Sequence, residues 1–263
     1  MSNTTATLNV MIAAAREAAR SLRRDFYDTE SLKITRKGAA DFVSAADLKA
    51  EEIIFESLSK ARPKYGFLME ERGEVDGSDN SNRWIVDPLD GTTNFLHGLP
   101  HFCISIALER DREPFAGVVY NPITDDLFFA EKGEGAYHND RRMRVSGRTD
   151  LTECLFTHGL PYKGKAGADI ALKESHNVLA ETAGIRRFGS AALDLAFVAA
   201  GRFDAYWERI LGPWDIAAGA ILIREAGGEV SEIDKHGGKP HLTGSVLATN
   251  GHIHETARAL LLR

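Results

Sequence analysis

Cysteine is scarce in this chain: Cys103 and Cys154 are the only two, and neither stands in a CxxC or other metal-ligand spacing. That excludes a disulfide framework and a thiolate zinc centre, and points to reduced thiols in the cytoplasm. Long apolar runs are lacking too. No stretch reaches the roughly 18 residues of a membrane span, and Arg16, Glu17 and Arg20 break the N-terminal apolar pattern that a signal peptide requires. Only 8 prolines are scattered along the 263 residues, and no proline-rich or low-complexity linker cuts the chain. An excess of positive charge is also absent. The formal net charge of −6 argues against a nucleic-acid surface, and the small cluster Arg141, Arg142 and Arg144 reads as a solvated strand edge.

Several catalytic patterns are missing as well. There is no GxSxG, no HExxH, and no phosphate-cradling loop after either cysteine. His97, His101 and the other histidines read as structural or surface groups. Phe128, Phe129 and Trp207 read as core, and Lys37 as a solvated lysine, with a place near a phosphate as the alternative.

What is present is a core-forming pattern. With 43% hydrophobic residues, a chain of this length buries roughly 70–75% of its unfolded surface and needs no staples. Leu8, Met11, Ala15, Ala19, Leu22 and Phe26 recur at helical spacing, and a second helix is expected from near Ser44 to before Pro63. Strands follow at Gly66 to Met69, then in CISIALER, EPFAGVVYNP, DLFFAEKGEGAYHN and RRMRVS, which read as an antiparallel sheet. From Asp150 onward the pattern alternates: strands at LTECLFTH, IRRFG, FDAYWE and SVLATN are interleaved with helices at 166–183, SAALDLAFVAAG and PWDIAAGAILIREAGG. The expectation is one layered α/β unit of two lobes, about 1–145 and 146–263.

Acids interrupt this pattern at strand ends. In WIVDPLDGTTNFLH, a buried strand at Trp84 to Val86 would place Asp87 at its carboxyl end, and Gly91 would allow the chain to turn into a helix near Thr92. Two carboxylates about 4 Å apart repel by roughly 4 kcal/mol at an effective dielectric of ~20, so such a pair needs a proton or a cation. The competing reading makes Asp87 and Asp90 turn formers and a helix cap, and this stretch alone does not separate the two. The register is wrong for an EF-hand calcium loop. The aspartates also stand three apart, not the two expected of an aspartyl-nucleophile phosphatase. Asp215, in Pro213-Trp214-Asp215, reads as an anion in the first turn of a helix, and Glu70 and Glu71 follow the strand-like GFLM.

WIVDPLDGTTNFLH and WDIAAGAILIREAGG resemble the two signature motifs of the inositol monophosphatase family, and Met69 to Glu71 its intervening acidic element. The likeness runs from KGAADFVSAAD at Lys37 to Asp47 through to the last glycine-rich turn, and HGLPHFCISIAL resembles the bacterial inositol-1-phosphatase branch. A small departure is Ser44, where relatives often have threonine.

This resemblance implies a five-layered α/β/α/β/α sandwich of the inositol monophosphatase and fructose-1,6-bisphosphatase type. It also implies a magnesium-dependent phosphatase, with about two or three ions, in which a metal-activated water attacks a phosphate monoester directly. By matched position Glu70, Asp87, Asp90, Asp215 and the carbonyl of Leu89 would be metal ligands. Asp47, Glu70 and Thr92 would serve the attacking water, and the amides of Gly91 and Thr92 would hold a phosphate oxygen. Glu208 with the turn Gly189, Ser190 and Ala191 would meet the substrate alcohol. The implied substrate is inositol 1-phosphate or a related polyol or sugar monophosphate. Histidinol phosphate, fructose 1,6-bisphosphate and 3′-phosphoadenosine phosphate are the alternatives. A homodimer, lithium inhibition and, in some bacterial relatives, a regulatory role in transcription antitermination are further implications of the family.

Overall fold

The computed structural model describes residues 4–28, 34–38, 41–161 and 166–263, with 34–38 and 41–44 described by backbone alone. The side chains of Lys37 and Ser44 therefore lie outside the described residues. Two helices, α1 (Ala6–Phe26) and α2 (Ala45–Ala61), flank a hairpin of β1 (Ile34–Gly38) and β2 (Asp41–Ser44). An eight-stranded sheet then forms from β3 (Tyr65–Met69), β4 (Gly73–Val75), β5 (Asp79–Asp90), β6 (Cys103–Arg110), β7 (Glu113–Asn121), β8 (Asp126–Glu131), β9 (Gly135–His138) and β10 (Arg141–Arg142). Its spatial order is β10-β9-β8-β7-β6-β5-β3-β4, antiparallel except where β3 runs parallel to β5. A short helix, α3 (Thr92–Leu96), leaves the end of β5.

The second sheet has five strands: β11 (Leu155–His158), β12 (Gly184–Arg186), β13 (Ala205–Glu208), β14 (Glu229–Ser231) and β15 (Val246–Thr249), in the order β12-β11-β13-β15-β14. Its helices are α4 (Ala168–Leu179), α5 (Ala191–Ala199), α6 (Pro213–Glu225), the short α7 (Pro240–Thr243) and α8 (His254–Leu261). Sequence and structure differ at Leu151–Glu153, expected as strand. Those residues make a 3₁₀ turn because Asp150 accepts from the Thr152 N–H at 2.9 Å and caps it.

Alternation along the strands separates the layers. On β6, Ile104, Ile106 and Leu108 face a core shared with α1 and α2, whereas Cys103 and Ala107 face α5 and α6. On β13, Tyr206 joins that same central core, and Ala205 and Trp207 point to a third core beneath α4 and α8. Five layers, α/β/α/β/α, result. Helix composition follows position: α1 buries only the stripe containing Leu8, Met11, Ala15, Ala19 and Leu22, but α5 lies between two sheets and buries eight of its nine residues. Close approach of α6 to the large sheet requires Gly117, where a Cβ would stand 2.7 Å from Ile221 Cγ2 and 2.8 Å from the Ala218 carbonyl oxygen. Among the described residues no helix is long and apolar enough to cross a membrane.

Candidate active site

The site begins with an irregularity in β5. Residues three apart on a regular strand point to opposite faces. Here Asp87 pairs with Ser105 and Asp90 with Cys103, so three steps on β5 match two on β6. That extra residue is a bulge, and Pro88 within it has no N–H to strand there. Both carboxylates consequently face the central layer. Ser105 Oγ on the same face donates to the Trp214 carbonyl at 2.9 Å, docking the start of α6 and with it Asp215. The carboxylate oxygens that Asp87, Asp90 and Asp215 offer lie within 4.8 Å of one another.

Glu70 follows from the parallel pairing of β3 with β5: its N–H donates to the Val86 carbonyl at 3.1 Å, and its carboxyl shares a hydrogen bond with Asp87. The turn beyond it is held from α2, where the buried Glu51 accepts from the Glu71 N–H at 2.9 Å. Asp90 Oδ2 accepts from Ser190 Oγ and from the Ala192 N–H, both at 2.7 Å, which ties it to the entry of α5. Asp215 Oδ2 accepts from the Gly212 N–H at 2.7 Å, so its reading as an anion in the first turn of a helix holds at the same time as its place in the cluster.

Electrostatics follow from this packing. Burial, then the charges of Glu70, Asp90 and Asp215, lift the Asp87 carboxyl well above the ordinary carboxylate range. Burial, then Asp90 and Glu70, do the same to Asp215. Burial raises Asp90 as well, against the opposing hydrogen bonds of Ser190 and Ala192. The buried Cys103, with Sγ 3.8 Å from Asp90 Oδ2, is kept a thiol by burial and by that charge.

At the end of β5 the chain turns at Gly91 with φ of 98°, a left-handed conformation in a space too tight for a side chain; a Cβ would stand 3.1 Å from the His101 carbonyl oxygen. Thr92 Oγ1 then lies 3.1 Å from both Asp47 Oδ1 and the Leu89 carbonyl oxygen. Asn94 Nδ2 donates to the carbonyls of His101 and Phe188, each at 2.7 Å, strapping α3 to the Gly189 turn.

A cavity of about 570 Å³ opens above the acids. Glu70, Asp90 and Asp215 form its floor, with Gly91, Thr92, Gly189, Ser190, Ala191 and Glu208 around it. Asp87, Leu89 and Asp47 do not line it and sit behind these groups, joined to them by the contacts above. Glu208 is held by a hydrogen bond from Tyr206 Oη, and a methyl at Gly159 would overlap its carboxylate. Sequence reasoning missed Asn94, Ser105, Thr157 and Asp194. His101, expected to be structural, has Nε2 3.2 Å from Asp194 Oδ1, while Thr157 Oγ1 donates to Asp194 Oδ2 at 2.9 Å. None of these carries a spacing signal, because each is defined by a partner distant in sequence. Trp207 and Phe128 are buried core residues, and Arg141 and Arg142 form an exposed edge strand, as expected.

The donor set fits a hard cation. It consists of carboxylate oxygens, the thiol is protonated, and acids raised by burial and by neighbouring negative charge are what a divalent ion would stabilise.

A model of the inositol monophosphatase family matches residues 3–262. An inositol-1-monophosphatase of Mesorhizobium japonicum is 58% identical over 97% of this chain and 95% of its own length. Nus factor SuhB of Escherichia coli is 41% identical over 94% of this chain and 92% of its own. The crystal structure of the extragenic suppressor protein suhB from Bartonella henselae superposes with a TM-score of 0.94 at 53% identity, covering 98% of both chains.

Proposed function

The chain belongs to the inositol monophosphatase family and is a phosphatase, and we propose that it hydrolyses inositol 1-phosphate or related polyol and sugar monophosphates with magnesium as cofactor. The observation that carries this reading is the convergence of Asp87, Asp90 and Asp215 within 4.8 Å of one another, Asp90 and Asp215 on the floor of a cavity wide enough for a sugar phosphate and Asp87 behind them. Glu70, Asp87, Asp90, Asp215 and the Leu89 carbonyl would hold the ions. Bound there, magnesium supplies charge neutralisation for the phosphoryl oxygens and lowers the pKa of water.

The chain's own groups do the rest. The amides of Gly91 and Thr92 receive a phosphate oxygen. Thr92 Oγ1, placed between Asp47 and Leu89, orients the attacking water together with Asp47, and Glu70 accepts its proton. Glu208 accepts hydrogen bonds from the alcohol hydroxyls, and the turn Gly189 to Ala191 shapes that side of the cavity. Histidinol phosphate, fructose 1,6-bisphosphate and 3′-phosphoadenosine phosphate are the competing substrates. A cytoplasmic homodimer inhibited by lithium completes the reading. Phosphate release measured across a panel of monophosphates, with and without magnesium, tests it; no magnesium-dependent release from any polyol or sugar ester would refute it.

A second reading rests on the SuhB relative, named as a Nus factor: a regulatory role beside the transcription machinery. Pull-down with Asp90→Asn separates the two, since binding should survive the loss of catalysis.

A further inference from the structure

Seven charged side chains line the cavity: five acids, Glu70, Asp90, Asp194, Glu208 and Asp215, and two cations, Arg187 and Arg209. Asp194 is engaged by His101 and Thr157, and Glu208 by Tyr206. Arg209 is paired on all three of its nitrogens: Nε donates to Glu174 at 2.8 Å, and Nη1 and Nη2 donate to Asp234 at 2.7 and 3.2 Å. Arg187 differs. Among the described residues its guanidinium makes no ion pair, and it lies against the Gly189 turn, where a Cβ would stand 3.0 Å from Nη1. Its charge reaches inward: after burial it contributes to holding the His158 imidazole down at about 4, and with His101 and Thr157 it opposes the rise that burial gives the Asp194 carboxyl.

Resting on the proposed reaction, we infer that Arg187 is a specificity residue, a receptor for a second anionic group carried by the alcohol part of the ester. The class of substrate it favours is a phosphate monoester bearing a further phosphate or carboxylate, over its neutral counterpart. The reasoning is one of charge. An acidic floor neutralised by cations takes the scissile phosphate, and Glu208 takes hydroxyl donors and repels anions. Arg187 lines the same cavity beside the Gly189 turn, as the cation whose planar fork of donors matches an anion's oxygens. Being exposed, it can be replaced without opening a void in the core.

The test compares fructose 1,6-bisphosphate with fructose 1-phosphate in magnesium, for wild type, Arg187→Gln and Arg187→Lys, together with calorimetric binding of both esters. The expected result is that Arg187→Gln lowers the ratio of kcat/KM for the bisphosphate over the monophosphate about tenfold, and that Arg187→Lys, which keeps the charge and loses the fork, lowers it by less. A ratio within about twofold of wild type in Arg187→Gln would overturn the inference, as would a drop of equal size for both esters. Should wild type release phosphate from neither ester, the proposed reaction is what fails, and calorimetry still decides the role of Arg187: bisphosphate affinity that falls with Arg187→Gln supports it, and affinity that does not move refutes it.

Discussion

Among the described residues two clusters bring three metal-ligating side chains within 4.8 Å of one another: Asp87, Asp90 and Asp215 at the base of the cavity, with Asp87 behind its lining, and Glu229, His254 and Glu255 beside α8. By distance alone they are equivalent. In the second, however, a cation is already in place. Arg258 lies within it, donating from Nη1 to the carbonyls of Glu232, Ile233 and Lys235 and from Nη2 to Ser231 Oγ and His254 Nε2. Burial and that neighbouring cation hold the His254 imidazole down to about 4, so it is neutral, and its Nδ1 is matched to Thr249 Oγ1 at 2.9 Å. Glu229 and Glu255 are exposed, and Glu255 Oε1 lies 3.2 Å from His236 Nδ1. In the first cluster no side-chain cation intervenes among the described residues, and burial and repulsion raise all three acids. Proximity of donor atoms does not make a metal site; an unbalanced buried charge does.

The contrast breaks most sharply under substitution. Asp90→Asn should cut phosphate release by about 10³-fold, while Glu229→Gln should leave it within about twofold; steady-state assays on both variants decide. Conversely, removing the cation of the second cluster should be a matter of folding. Arg258→Ala should cost about 3 kcal/mol in urea unfolding, because several buried acceptors lose their donor.

A smaller and opposite effect is expected at the first cluster. In chelator, Asp215→Asn should stabilise the metal-free protein by about 1 kcal/mol, since the amide keeps the cap to Gly212 and removes a repelling charge. The sign of the pH dependence follows. Asp87 and Asp215 have folded pKa values raised above the ordinary 3.8, so the folded state holds protons that the unfolded state has lost. Their contribution is full below that value and disappears as pH rises through the raised pKa values. The stability advantage of the Asn variant in chelator should therefore grow with pH, and melting curves at several pH values check it. Smallest is Gly159→Ala, which crowds the Glu208 carboxylate and should raise KM for a polyol phosphate roughly fivefold with less change in kcat.

Much of this was legible in the sequence. Trp84 to Val86, the Gly91 turn and the start of a helix at Thr92 follow from local chemistry, and so do α6 and its Pro213 start. What local pattern could not supply was the bulge: a period of two places Asp87 and Asp90 on opposite faces, and only pairing with β6 reveals the extra residue that unites them. Asp90's donors were illegible for a related reason. Ser190 and Ala192 lie about a hundred residues away and meet it because α5 is wedged between two sheets. The small strands β1, β2, β4 and β14 escaped notice because three to five residues carry too little periodicity.

Magnesium calorimetry on wild type, Asp87→Asn, Asp215→Asn and Glu229→Gln tests the difference between the clusters most directly. The expected result is a binding isotherm in wild type and Glu229→Gln that weakens at least tenfold in each aspartate variant. Undiminished magnesium binding in both aspartate variants would contradict the assignment of the cation to the cavity floor.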